Sequence, residues 1–463
     1  MEHVFVRDLV EATGGTLLSG NPDAEVSKIR LDSRQVEPGD LFVPIIGEKV
    51  DGHKFIPQVI QAGAAAVLTS EHTEAEETEG NAAWIRVSDT KNALQDIGRY
   101  LRARLSLPLV GVTGSVGKTT TREMIAAALS AKYRVYKTPG NSNSQVGVPI
   151  TISEISEKDQ VGVIELGMSE PGELTIIAKI AKIDLAVITN IGITHIEQLG
   201  SRENIYREKM TIQDGLKDDG VLILNGDDDM LCSTRGKDGV NTIYYGTGAN
   251  CDFRAEKINL NDGPARFTAV HGDERQEVVL GVMGHHNVMN ALAAMAVCDQ
   301  CGMTMKEAAE GLRTFTGFKG RQQIHAGEKL TILDDSYNAS PASMKASLDV
   351  FKTLKPGCRH IAVLADMKEL GEKYQEYHYE VGRYAAGSGL DMVVTLGEAC
   401  GKLAEGVRAE SGIPVAEFLE KEVMIEYLDS VVCDGDCLLF KGSNSMGLSQ
   451  VVEHFVGRQV SGR

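Results

Sequence analysis

The 463-residue chain has no stretch approaching the roughly 18 consecutive apolar residues that a helix needs to cross a bilayer, which excludes a helical membrane-spanning protein. It is also short of positive charge: 47 Lys plus Arg stand against 65 Asp plus Glu, for a net charge of −18. Such a surface repels phosphate backbones unless basic residues are locally concentrated, so non-specific nucleic-acid binding is excluded. The opening residues MEHVFVRDLVEATGG lack both a basic n-region and an apolar h-region, and a cytoplasmic protein is the expectation. Cysteine is sparse, eight residues in all, and a reducing cytoplasm keeps these as thiols. Two pairs are close in sequence, Cys298 with Cys301 and Cys433 with Cys437. The first follows the Ala-rich run NALAAMAVCDQC, where positions three apart share one helix face. With no second C-x-x-C and no suitably spaced His pair, packing is the reading, not zinc or redox chemistry.

What is present is size and rhythm. Single cores stop growing near roughly 250 to 300 residues, so two or three domains are expected. With 42% hydrophobic and 24% charged residues the composition is globular. Residues 1–86 hold short β-rich runs with Gly-containing turns (GGTLLSG, DSRQVEPGDLFVPIIGE), ending in the acidic stretch EHTEAEETEG, which reads as a solvated loop. Over 87–322 apolar runs (LPLVGVTG, VGVIELGM, LAVITNIG, VLILNGD) alternate with helical segments, the mark of a parallel, doubly wound sheet. Between Asn241 and Gly284 short alternating strands suggest a small antiparallel insertion. Over 323–463 the αβ rhythm resumes with TILDD, HIAVLAD, DMVVTLG and CLLFKGS. The expected fold class is α/β in three domains: a small mixed N-terminal domain, a central mainly parallel P-loop sheet carrying the insertion, and a C-terminal Rossmann-like domain.

The strongest local signal is GVTGSVGKTTT, Gly111 to Thr121, between an apolar run and an amphipathic segment bearing Met124, Ile125 and Leu129. Strand, Gly-rich loop, Lys-Thr and helix is the order of a P-loop: backbone N–H groups cradle phosphate, Lys118 reaches the β/γ oxygens and Thr119 meets Mg²⁺. The spacing departs from G-x-x-x-x-G-K-[ST] only in having Val112 where the first Gly belongs, with Gly111 one residue earlier. Glu165 ends the run VGVIELG and His195 follows LAVITNIG, so both project from the carboxyl edge of a parallel sheet, where ligands of such sheets bind. An oxygen ligand and an imidazole beside a triphosphate suit divalent ions. A strand-end cap for Glu165 and a core imidazole for His195 are the structural alternatives.

The ordered set of motifs resembles the Mur ligases over nearly the whole chain. It runs LDSRQVEPGDLFVPIIGEKVDGHKF (from Leu31), GVTGSVGKTTT, TPGNSNSQVGVPITI (from Thr138), IELGMSEPGEL (from Ile164), TNIGITHIEQLGSRENIYREK (from Thr189), GHHNVMNALAA (from Gly284), Gly320-Arg321, DDSYNASPASMKASL (from Asp334), VLADMKELG and KGSNSM. The run DSYNASP resembles the members that add D-alanyl-D-alanine; those that add a diamino acid show D-N-P-R there. The resemblance implies an ATP-dependent amide ligase of peptidoglycan precursor synthesis. The γ-phosphoryl group of ATP passes to the peptide carboxylate of UDP-N-acetylmuramoyl-tripeptide, and the amine of D-alanyl-D-alanine attacks the acyl phosphate, leaving ADP and phosphate. It implies a monomer and two Mg²⁺ ions.

Carried onto matching positions, the resemblance gives the nucleotide phosphates to Gly114, Ser115, Val116, Gly117, Lys118, Thr119 and Thr120. Thr119 and Glu165 would serve one Mg²⁺ and His195 the second. Lys209 matches a lysine that is carbamylated in these ligases, where a neutral amine that captures CO₂ becomes an anionic oxygen ligand; the sequence alone makes it a solvated helix-face lysine. Asn287 and Asn290 would contact adenine, and Arg321 and Asp335 the ribose and phosphates across the domain junction, with a helix N-cap and a hinge ion pair as the structural alternatives. Asn141 belongs near the γ-phosphate or peptide carboxylate, Tyr337, Asn338 and Ser340 at the dipeptide pocket, and Ser33 and Arg34 at the UDP end, where an ordinary turn is the alternative. Three positions depart from the family pattern: Ser144 for Asn, Ala365 for Gly and Asn444 for Arg, the last removing a charge that could meet a substrate carboxylate. No residue stands out as general base for the incoming amine. Two other readings stay open. One is a related ligase, adding a diamino acid or resembling folylpolyglutamate synthases, which lack a separate UDP-binding domain. The other is a P-loop switch ATPase, which gives Lys209 and HHNVMN no role.

Overall fold

The structure, a computed structural model, describes residues 1–460 apart from 2, 48, 76–79 and 262. Of the acidic stretch 71–80, residues 76–79 therefore lie outside the described residues, and 71–75 are irregular backbone. Among the described residues twenty strands form three sheets.

The first sheet holds β1 (Thr16–Ser19), β2 (Ile29–Arg30), β3 (Leu41–Phe42), β4 (Ala66–Thr69) and β5 (Ala83–Arg86) in the order β1-β5-β4-β3-β2, parallel except for β1 at the edge. The helix Thr90–Arg104 follows. Asp89 caps it by accepting from Asn92 N at 2.7 Å, and Ala93, Leu94, Ile97 and Leu101 line one buried face. That face packs on helices Val6–Thr13, Gly147–Ser153 and Glu173–Ala181. Gly98 permits the approach, since a Cβ there would lie 2.9 Å from Pro149 Cβ. As a result the first sheet and one face of the central sheet share a single apolar core, running from Val4 through Leu94 and Ile97 to Leu224.

The central sheet contains β6 (Leu109–Thr113), β7 (Val135–Lys137), β8 (Val161–Glu165), β9 (Ile183–Ile188), β10 (Leu216–Asn225), β11 (Asn241–Gly246), β12 (Phe253–Asn259), β13 (Arg266–His271) and β14 (Glu274–Val279), ordered β14-β13-β12-β11-β10-β9-β6-β8-β7. β6 and β8 are buried at every position, which is why they read as unbroken apolar runs. Helices Lys118–Leu129 and His285–Gln300 pack on the other face. The antiparallel strands foreseen over 241–284 are present as β12, β13 and β14, while β11 runs parallel to β10. They prolong the edge of the central sheet instead of standing apart, and their alternation reflects one wetted face.

The third sheet, β15 (Gln323–Ala326), β16 (Thr331–Asp335), β17 (His360–Ala365), β18 (Met392–Leu396), β19 (Val415–Phe418) and β20 (Cys437–Lys441), has the order β15-β16-β20-β17-β18-β19 and is parallel apart from β15. Its faces are covered by two cores built almost wholly from residues after 330. All eight cysteines are free thiols; Cys298 lies buried in the helix His285–Gln300, and burial pushes Cys301 up to about 11. No helix among the described residues is long and apolar enough to cross a membrane.

Candidate active site

β6 lies between β8 and β9, with Val112 opposite Glu165 and Thr113 opposite Ile188. The order brings the P-loop, Glu165 and the segment leading to His195 to one carboxyl edge, as the apolar runs predict. The loop turns on Gly114 (φ +148°) and Gly117 (φ +86°), and a Cβ at Gly114 would collide with Thr189 Oγ1. Asn190 clasps the loop: its carbonyl accepts from Ser115 N at 3.0 Å, its Oδ1 from Val116 N at 3.0 Å, and its Nδ2 donates to Val116 O at 2.9 Å. Ser115 Oγ accepts from Gly192 N at 2.8 Å. The backbone donors of Ser115 and Val116 are thus engaged. The first helical bond runs from Thr121 N to Gly117 O at 2.8 Å, which leaves the N–H groups of Lys118, Thr119 and Thr120 at the helix start for an anion.

Lys118 Nζ donates to Gly114 O at 2.8 Å, and burial draws its pKa down, opposed by the charge of Glu165 and reinforced by Arg321. Glu165 is 2% exposed. Arg122 Nη1 donates to its Oε2 at 3.1 Å and Asn143 Nδ2 to its Oε1 at 2.8 Å, each oxygen retaining a lone pair. Arg122 also donates to Gly140 O at 2.8 Å and to Glu123 at 2.6 Å, and Glu123 in turn pairs with Lys137. The Thr119 hydroxyl and the Glu165 carboxylate are hard oxygen donors of the kind Mg²⁺ takes, so the residues present fit a divalent ion.

Lys209 sits in the helix Arg202–Met210 and is 2% exposed, which overturns the solvated lysine expected from the sequence alone. Burial, and next the charge of Lys118, hold its ammonium far below the ordinary lysine range. Neighbouring Glu208 offers no full relief, because its carboxylate accepts from Gly172 N at 2.9 Å and Leu174 N at 3.1 Å at the start of another helix. The Lys209 ammonium has no hydrogen bond or ion pair among the described residues. His195 has φ +64°, and its Nδ1 lies 2.6 Å from Glu369 Oε2 in a contact too bent for a good hydrogen bond. The imidazole holds the Glu369 carboxyl below its usual range.

Across from the P-loop stands the carboxyl edge of the third sheet. Asp335 and Lys441 are ladder partners on β16 and β20, and Lys441 Nζ donates to Asp335 Oδ2 at 2.6 Å. Ser347 Oγ and Gln322 N also bond Asp335. Arg321 stacks on Tyr337, its guanidinium carbon 4.1 Å from the ring centroid. The hinge ion pair between Arg321 and Asp335 is therefore replaced by Lys441–Asp335, since the ladder fixes the lysine beside the carboxylate. Asn287 does not cap its helix: Gly284 is the N-cap, and Asn287 Nδ2 donates to Met283 O at 2.7 Å. Asn290 receives Thr121 Oγ1 at 3.0 Å and donates to Asn287 Oδ1 at 3.2 Å, tying this helix to the P-loop helix. A cleft of about 750 Å³ between the two edges is lined by Val116, Gly117, Thr120, Asn287, Asn290, Arg321, Asp335 and Ser340, among others. Ser340 is also the N-cap of the helix Pro341–Thr353.

Other expected residues are not among those that line this cleft. Ser33 and Arg34 open a 3-10 turn, where Arg34 is 82% exposed and bonded by both Nε (2.9 Å) and Nη2 (2.6 Å) to Asp32, which falls to about 2. Asn141 is exposed, and it is Asn143 that reaches Glu165. Asn338 is exposed and gives its carbonyl to Lys441 at 3.1 Å. Ser144 accepts from Gly147 N at 3.3 Å, and Asn444 is exposed at the end of β20's loop. Ala365 fits because Gly442 opposite it has no side chain: a Cβ there would lie 2.6 Å from Ala365 Cβ. Sequence reading misses Arg122, Asn143, Asn190, Glu369 and Lys441; only the charge of Lys441 at the end of the apolar run CLLF pointed to one of them.

A P-loop at a switch between parallel strands, facing a second α/β sheet across a cleft, defines a nucleotide-using enzyme that works between domains. Family models of the Mur ligase catalytic domain, middle domain and glutamate ligase domain match residues 25–102, 112–298 and 320–444. A UDP-N-acetylmuramoyl-tripeptide–D-alanyl-D-alanine ligase of Bacillus subtilis is 37% identical over 98% of this chain and 99% of its own. The crystal structure of MurF from Acinetobacter baumannii superposes with a TM-score of 0.89 at 30% identity, covering 98% of both chains. That of MurF ligase from Thermotoga maritima in complex with ADP gives 0.83 at 28%, covering 95% of this chain and 99% of that one. The chain belongs to the Mur ligase family and is an ATP-dependent ligase that forms C–N bonds.

Proposed function

We propose that the protein joins D-alanyl-D-alanine to UDP-N-acetylmuramoyl-tripeptide in peptidoglycan precursor synthesis. The observation that carries this reading is the cleft itself: phosphate donors on one wall and the DSYNASP segment, with Asp335 and Ser340, on the other. The proposed division is 1–86 for the UDP end, 87–322 for ATP and 323–463 for the dipeptide. Ser33 and Arg34 serve the first, Asn287, Asn290, Arg321 and Asp335 hold the nucleoside, and Asn141, Tyr337, Asn338 and Ser340 meet the peptide substrates. Use of ATP and eight free thiols support a cytoplasmic enzyme, and the family resemblance implies a monomer.

The helix-start N–H groups and Lys118 orient the triphosphate and stabilise charge on the transferred γ-phosphoryl group. Thr119 and Glu165 would hold one Mg²⁺, and His195 with carbamylated Lys209 a second. When bound, these ions neutralise the repulsion between carboxylate and phosphate. Arg122 and Asn143 keep the Glu165 carboxylate oriented. Lys209, kept neutral by burial, can attack CO₂ through its lone pair; loss of one proton then leaves the carbamate. Opposing walls on two sheets let closure exclude water while the acyl phosphate lives. The test is to incubate the protein with ATP, Mg²⁺, the UDP-linked tripeptide and D-alanyl-D-alanine. Phosphate release that requires both acceptors supports the reading, and release indifferent to them sinks it.

A further inference from the structure

His195 at φ +64° and Glu369 at φ +61°, neither of them glycine, stand in the left-handed backbone region at the junction of the central and third sheets. Such a conformation is strained for a residue with a side chain and persists only where its surroundings impose it. Here the two meet, with His195 Nδ1 2.6 Å from Glu369 Oε2. They arrive from different units, His195 on the segment after β9 and Glu369 on the loop after β17.

The loop bearing Glu369 is a braced arm. Met367 N donates to the buried His378 Nε2 at 3.0 Å, and Lys368 N to Ser443 Oγ at 2.9 Å. Asp366, at its base, accepts from Lys368 Nζ and from Cys400 N, both at 2.9 Å. Two residues beyond Glu369, Gly371 comes up against the helix that His195 begins: a Cβ on it would lie 3.6 Å from Glu197 Cα. The arm therefore ends against the histidine, not in solvent.

An imidazole that binds a metal through one nitrogen commonly offers the other to a carboxylate, which fixes its tautomer and aim and raises its basicity. With Nδ1 facing Glu369, Nε2 is the nitrogen left for an ion. We propose that Glu369 is the positioning residue of His195, a carboxylate supplied by the C-terminal unit that aims an ion-binding imidazole of the central unit. The second ion site is then complete only while the two units are docked, which links binding of that ion to arrival of the amine-bearing unit. This rests on the reading that His195 holds an ion.

Mn²⁺ binding to the full chain, followed by electron paramagnetic resonance with a non-hydrolysable β,γ-imido ATP analogue present, tests it without turnover. Glu369→Ala is expected to weaken the second Mn²⁺ about 10-fold or more, the usual loss for such a partner. Glu369→Gln, which keeps the size, should also weaken it, and covers the case in which Ala disturbs the loop. The exposed neighbour Glu372→Ala should leave it unchanged. Because Glu369 acts through His195, the Glu369→Ala, His195→Ala double variant should bind no more weakly than His195→Ala alone. Unchanged affinity in both Glu369 variants, additive losses in the double variant, or a parent with no second site would each overturn the proposal. Amide formation by the parent is assayed separately, so failure of the ligase reading is distinguishable from failure of this one.

Discussion

Lys209 and Arg122 show how far a side chain can be held from the environment it prefers. A buried amine with no partner destabilises the fold by about 1–3 kcal/mol, so Lys209→Met should be more stable than the parent by that order in CO₂-free buffer, although inactive. The pH dependence has a definite sign. Burial places the folded pKa well below the ordinary value of about 10.4, so across that window the unfolded chain binds the extra proton and the parent gains stability as pH rises. The advantage of Lys209→Met should shrink between pH 7 and 10 in thermal melts, and an advantage that grew would contradict the assignment. On the proposed carbamate role, Lys209→Ala should lose at least about 100-fold in kcat and regain part of it with small carboxylates, which would stand in for the carbamate oxygens. Arg122, fully buried, binds both Glu123 and Glu165. Arg122→Met takes the buried cation from Glu165 and leaves Glu123 with Lys137 alone, and should cost about 3–5 kcal/mol in urea denaturation, with Arg122→Lys costing less.

Among elements, the strand and loop of the P-loop unit were legible because their chemistry is local. Buried parallel strands read as apolar runs, and Gly114, Gly117 and Lys118 announce a phosphate turn by type and spacing. The clasp by Asn190 was not legible, since that residue reaches Val116 across 74 positions of sequence and nothing in its neighbours marks it. The same holds for Glu369 and Lys441, whose partners come from other strands or another sheet. Lys209 was legible only through the family resemblance, because the SRENIYREKM run looks like any polar helix until burial is seen. Asn190→Ala removes two bonds that shape the loop, each worth about 1 kcal/mol, so calorimetric titration should show ADP binding weakened about 10-fold or more. Unchanged ADP affinity would mean that the loop keeps its form unaided.

For the molecule as a whole, three sheets do not mean three independent cores. The first sheet and one face of the central sheet meet through the helix Thr90–Arg104, whereas the third sheet is packed by residues almost all its own. Calorimetry should accordingly resolve two unfolding transitions, not three. Ile97→Ala, at the centre of the shared core, should lower the larger transition by about 2–5 kcal/mol and leave the other in place.

The link to the third sheet passes through Gly317 (φ +108°), Gly320 (φ +69°) and Gln322 (φ +51°), and the contacts beside it include the polar pairs Gln322–Asp335 and His195–Glu369. A join of that kind can be cut and remade. A chimera that takes everything after Gly320 from another Mur ligase leaves the shared core untouched, and it should fold and accept the donor's amine, provided that the grafted piece brings an acid to meet His195.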